Sequence, residues 1–133
     1  MSKRLPCMKQ PCATCPYRKD VPSGVWAAEE YAKLPLYDDN NTLTFNLFMC
    51  HSTAESPCRG WLTVHADSLA ARLAMFKGEV TPDDVYAPPP VPLFASGREA
   101  AEHGLRELRR PGVRARRAVA KVEKLIERRS TKP

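Results

Sequence analysis

The sequence predicts a mainly helical α+β domain stapled by a metal. Three observations carry that expectation. Four cysteines fall into a close pair, Cys12 and Cys15, and a distant group, Cys50 and Cys58. Two segments place apolar residues at helical spacing, and one short segment alternates. The chain has 133 residues with 13 prolines and four phenylalanines, enough for one domain with a thin core. Domains of that kind commonly need a staple. The expected organisation is a cysteine-cluster metal-binding domain at 1–86, a proline-rich strap at 87–95, and a basic helical segment at 96–133 packed on the same domain.

Residues 1–11 read as a short basic arm, with Cys7 as a spare thiol in it. Cys12 to Cys15 is a tight turn, and Pro16 stops it from continuing as a regular element. Ser23 is placed to cap a helix over about 24–34 that stops at Pro35. Val25, Trp26, Tyr31 and Leu34 are its core contacts. Asp38-Asp39-Asn40-Asn41 reads as a turn. Residues 42–49 alternate Leu43, Phe45, Leu47 and Met49 against Thr42, Thr44, Asn46 and Phe48, the pattern of a short strand or hairpin. That strand delivers Cys50 and His51.

After a polar loop and Cys58, a helix is expected over about 61–77. Leu62, Ala66, Leu69, Leu73 and Phe76 mark its apolar face, and Gly78 its cap. His65 reads as a partly exposed surface histidine. Thr81-Pro82-Asp83-Asp84 starts a short helix. The prolines from Pro88 to Pro92 hold the chain extended. Ser96 and Glu99 form a capping box opening a helix to about Arg110. A last helix over about 113–129 carries Ala115, Val119, Val122 and Ile126 on one face.

Charge is segregated along the chain. Residues 1–97 hold nine Lys/Arg against ten Asp/Glu, whereas residues 98–133 hold twelve against five, a net of +7. The basic excess points to an anionic partner, nucleic acid or an acidic protein, met by Arg114, Arg116, Arg117, Lys121, Lys124 and Arg128. No apolar run approaches membrane-spanning length, and no apolar segment of a secretory signal follows Met1. The expected location is therefore cytoplasmic, where clustered cysteines bind metal more often than they form disulfides.

Four thiolates suit zinc, and they equally suit a [4Fe–4S] cluster. His51 stands beside Cys50, either as an alternative ligand or as a hydrogen-bonding partner orienting the site. A site filled by four thiolates is structural. Three thiolates and a bound water would instead make a metal-dependent enzyme. No Asp or Glu near the cysteines in sequence is placed as its base, so the reading leans away from catalysis.

Several motifs are long enough to be specific. They are Cys12-Ala13-Thr14-Cys15-Pro16-Tyr17-Arg18 and its continuation to Trp26, Cys50-His51, Cys58-Arg59-Gly60-Trp61, and Pro90-Val91-Pro92-Leu93-Phe94-Ala95-Ser96-Gly97-Arg98-Glu99-Ala100-Ala101-Glu102-His103-Gly104. Together they resemble an uncharacterised family seen in actinobacteria and their phages, domain-of-unknown-function family 6283, over about residues 11–105. The resemblance implies a family and no particular activity. In the family pattern a further cysteine often precedes the histidine after the Gly-Trp motif. Here Val64 precedes His65, so no required ligand is implied there. The tail beyond Arg106 lies largely outside the resemblance.

Overall fold

The computed structural model describes residues 4–38, 47–50 and 56–131. The predicted strand residues 42–46, the turn residues 39–41, His51 and the loop residues 52–55 lie outside them. So do the side chains of Leu125, Ile126 and Arg128 near the C-terminus. The described chain is mainly helical: α1 (Ala28–Leu36), α2 (Arg59–Val64), α3 (Leu69–Lys77), α4 (Pro82–Tyr86), α5 (Gly97–Leu105) and α6 (Val113–Thr131). Among the described residues the expected β component shrinks to two isolated antiparallel bridges, Arg18 with Leu93 and Met49 with Pro57. No helix among them is long and apolar enough to cross a membrane.

The tightest helix pair is α1 against α5, and its cause is small side chains. Gly97, Ala100, Ala101 and Gly104 are the buried residues of α5. Their spacing of three, four and seven puts them on one helix face. A methyl group added at Gly97 would overlap the carbonyl of Leu34, and one at Gly104 would overlap the ring of Tyr31. The backbone of α5 therefore lies directly on the buried Leu34 and Tyr31 of α1. Tyr31 then turns its hydroxyl back to accept hydrogen bonds from the amides of Val25 and Trp26, both at 3.0 Å.

Several predicted boundaries move. The first helix starts at Ala28 rather than 24, because Gly24 is left-handed (φ 83°) and cannot sit in a right-handed helix. Ser23 does not cap α1. Its hydroxyl donates to the carbonyl of Gly104 at 3.1 Å and accepts from the amide of Glu107 at 2.8 Å, closing the end of α5. Pro35 lies inside the last turn of α1 instead of stopping it. The helix expected over 61–77 is two helices. Ser68 caps α3 by accepting from the Ala71 amide at 3.1 Å. The break rotates the expected apolar stripe: Ala70, Ala71 and Ala74 are buried, whereas Phe76 is 84% exposed.

Phe48, expected on the polar side of its strand, is buried, and Leu47 and Met49 are only half-buried. Helix α5 ends at Leu105, five residues before the expected stop. Its capping box is half made: Ser96 accepts from the Glu99 amide, but Glu99 reaches the Ala95 amide instead of its own cap. The N-terminal arm is tied down, with the Leu5 amide donating to the Glu79 carbonyl at 2.8 Å.

Other elements form as expected. Thr81 and Asp84 complete a reciprocal capping box around Pro82. Gly78 closes α3 at φ 80°. Helix α6 buries Ala115 and Val122. The residues following the prolines bind the cysteine region, with the Phe94 amide donating to the Tyr17 carbonyl at 2.8 Å and the Lys19 amide to the Pro92 carbonyl at 3.0 Å.

Gly104→Ala drives a methyl group into Tyr31 and Gly97→Ala drives one into the α1 backbone, so each is expected to cost about 3 kcal/mol. Urea unfolding measures it; a change below about 1 kcal/mol for both would contradict the close helix contact.

Candidate metal centre

Three elements bring the cysteines together. The first is the turn at Cys12–Cys15, closed by the Cys15 amide donating to the Cys12 carbonyl at 3.0 Å. Arg18 braces it from outside, reaching the carbonyls of Pro11 and Cys12 at 3.2 and 3.4 Å. The Trp26 indole donates to the Thr14 carbonyl at 2.8 Å. The turn's outward carbonyls thus have partners, and Cys15 points into the core at 1% exposure.

The second element is the bridge between Met49 and Pro57. The Cys50 amide donates to the Ser56 carbonyl at 2.8 Å, and the Cys58 amide to the Phe48 carbonyl at 2.7 Å. Pro57, lacking an N–H, sits where the ladder asks for none. In this register Cys50 lies opposite Ser56 and Cys58 opposite Phe48, so both cysteines project from one face as diagonal neighbours. Diagonal pairs stand about 7–8 Å apart. Both are buried. The unexpected burial of Phe48 has the same origin, because residues 48, 50, 56 and 58 share that face.

The third element is α2. Cys58 is its N-cap, its sulfur accepting from the Trp61 amide at 3.5 Å. Gly60 lets the helix start approach the turn: a Cβ there would fall 2.8 Å from both the Cys15 sulfur and the Tyr17 Cβ. The outcome is a Cys15 Sγ to Cys58 Sγ separation of 3.8 Å across 43 residues of chain. The Cys15 thiol is drawn down by a hydrogen bond with Cys12, but its contact with Cys58 and its burial outweigh that and leave it well above the usual thiol range.

The contacts run as a chain, Cys12 to Cys15 to Cys58. None of the five cysteines is in a disulfide. Among the described residues, no three His, Cys, Asp or Glu side chains converge on one point at metal-binding range. Cys12 turns its sulfur toward the Thr14 hydroxyl at 3.9 Å. Cys7 stands elsewhere; its thiol is raised by burial and then by Asp84. His51 lies outside the described residues.

His65 is not a surface histidine. Its side chain is 10% exposed, its Nε2 meets Asp38 Oδ1 at 2.6 Å, and its Nδ1 faces the Trp61 carbonyl at 3.0 Å. The ring stacks on Trp61 with centroids 5.2 Å apart and meets Tyr17 edge-on. The same Asp38 carboxylate accepts from the amides of Gly97 at 2.7 Å and Arg98 at 2.9 Å, the first donors of α5. Sequence reading assigned Asp38 to a turn and gave it no role. Tyr17, also passed over, is fully buried, and its hydroxyl has no hydrogen-bond partner among the described residues. Burial, then the fields of Cys58 and Asp38, push that phenol far above its ordinary range.

The basic residues sit on different flanks of α6. Arg114, Arg117 and Lys121 line a cleft with the cysteine turn, and Arg114 donates to the Asp20 carbonyl at 3.0 Å. Arg116 and Lys124 are exposed.

The chain belongs to a family of unknown function (DUF6283), whose model matches residues 7–119. The match extends past Arg106 into α6 as far as Val119, beyond the stretch the motifs alone covered. No curated protein and no solved structure matches it.

Tyr17→Phe removes a buried hydroxyl without a partner and is expected to raise stability by about 1 kcal/mol. A thermal or urea melt reads it, and a loss of similar size would mean that the hydroxyl has a partner after all.

Proposed function

We propose that Cys12, Cys15, Cys50 and Cys58 bind one zinc ion as a structural staple, and that the chain is a non-catalytic module presenting α6 to nucleic acid. The observation that carries the metal reading is the 3.8 Å between two buried sulfurs from distant parts of the chain. Two thiolates at about 2.3 Å from a tetrahedral zinc stand about 3.8 Å apart, whereas a disulfide holds its sulfurs at about 2 Å. A [4Fe–4S] cluster puts each thiolate on a separate iron and so spreads them further, which favours the single ion over that alternative.

The donor set fits zinc in chemistry. Cys12 is at the other end of the turn from Cys15, and Cys50 shares the face of the bridge with Cys58. Cys12 already reaches Cys15 by a side-chain hydrogen bond, and Cys50 is buried at 4% exposure. His51 remains the alternative donor next to Cys50. The nucleic-acid reading is supported by the net +7 of residues 98–133 and by the exposed Arg and Lys of α6.

Elemental analysis with an absorption spectrum tests the metal. The expected protein is colourless with one zinc per chain, and chelation lowers the melting temperature by about 10 °C or more, because binding energy is folding energy here. Cys12→Ser or Cys50→Ser should destabilise comparably. A brown protein containing iron and sulfide overturns zinc, and a metal-free protein with a melt indifferent to chelator overturns the staple. Zinc affinity should rise with pH, since the raised Cys15 proton must leave before the sulfur can bind.

A further inference from the structure

The basic residues of α6 divide into two flanks. Arg114, Arg117, Lys121 and Lys124 follow three-four spacing along one side of the helix. Arg116 is two residues from Arg114, about 200° round the helix, on the side shared with Glu123 and Glu127. The first flank contains no acidic residue. Over the matching stretch, the second sets one arginine against two carboxylates.

The first flank faces a basic cleft, whereas Glu123 of the second lines a separate, largely apolar cavity with Val119 and Val122. A cavity of 330 Å³ is lined by Arg114, Arg117, Lys121 and Ala118 of α6 and by Ala13, Thr14, Arg18 and Asp20 beside the cysteine turn, among others. Its charge is four cations against one carboxylate. Asp20 is already engaged by Arg18, whose Nε and Nη2 donate to the two carboxylate oxygens at 2.8 and 2.7 Å. Arg114 is steered by the Asp20 carbonyl at 3.0 Å. Arg117 and Lys121 are exposed at the cleft and complete its basic wall. Two of its cations are thus oriented by the fold before any ligand arrives, so fixing a ligand there costs less side-chain entropy.

We propose that this cleft seats a backbone phosphate of a nucleic-acid strand, which then runs along the α6 flank towards Lys124. The inference rests on the nucleic-acid reading above and narrows it to one face. An isolated phosphate group fits the volume, and guanidinium groups recognise its oxygens by paired N–H donors. From Arg114 to Lys124 the stripe is about 15 Å long at 1.5 Å per residue, long enough to follow more than one phosphate of a strand. The cleft floor is the turn of Cys12–Cys15, so the surface that meets the strand and the candidate metal centre share one piece of backbone.

The test is fluorescence anisotropy with short single- and double-stranded oligonucleotides at several salt concentrations. The full chain is compared with Arg117→Gln/Lys121→Gln and with a charge-matched control outside α6, Arg109→Gln/Arg110→Gln. All four positions are exposed, and a melting curve verifies that each variant folds. The cleft variant is expected to lose at least about tenfold in affinity and about two units of salt slope, with the control within about threefold of wild type. Equal losses in both variants would overturn the cleft and leave a diffuse attraction of nucleic acid. Absence of wild-type binding at low salt would overturn the nucleic-acid reading together with the cleft.

Discussion

The Asp38 carboxylate is the constraint on which the arrangement rests. It follows the end of α1, takes two backbone donors from the start of α5, and grips the imidazole that terminates α2. A helix start leaves donors that need partners, and a carboxylate there also meets the favourable end of the helix dipole. By supplying two bonds at once, Asp38 sets where α5 begins relative to α1. The Gly97–Gly104 face can then lie flat on Leu34 and Tyr31. The imidazole carries the constraint onward to Trp61, on which it stacks, and so to the helix that Cys58 caps.

This explains how a chain with few large side chains builds a firm centre. Close approach replaces bulk. Glycine and alanine on α5 bring backbone against backbone, and Gly60 does the same between α2 and the cysteine turn. Dispersion grows with the number of atoms at contact distance, so thin layers packed closely can match fewer, larger groups. Aromatic rings fill what remains: Tyr17, Tyr37, Phe48 and Trp61 meet in edge-on pairs around the cysteines.

Features governed by local chemistry were legible in the sequence. Thr81 and Asp84 announce their helix, Gly78 its end, and the α6 period places Ala115 and Val122 inside. What was hidden depends on distant partners. Asp38 looks like any turn residue until α5 arrives 59 residues later. The break after Val64 follows from the contacts His65 makes and from the cap at Ser68, neither of which disturbs the apolar spacing. The packing face of α5 was unread because its signal is a lack of bulk, which hydrophobic periodicity does not register. Phe48 was assigned to the wrong face because alternation of the neighbouring Leu and Met outweighed it. The spacing groups four cysteines, and it could not show that Cys15 and Cys58 would meet at 3.8 Å across 43 residues of chain.

The α1–α5 seam has a further consequence for the strap. Pro88, Pro89 and Pro90 are exposed, and the chain on either side is held by other contacts: Arg59 reaches the Ala87 carbonyl on one side, and Pro92 and Phe94 pair with Lys19 and Tyr17 on the other. Cutting the strap would remove one covalent link while leaving the seam, the Asp38 bonds and the bridge to the cysteine turn in place. The two pieces would then behave as complementary fragments. Each has a face, Leu34 with Tyr31 or Gly97 with Gly104, that packs closely on the other. The seam thus ties the cysteine-bearing half directly to a helix encoded after the prolines.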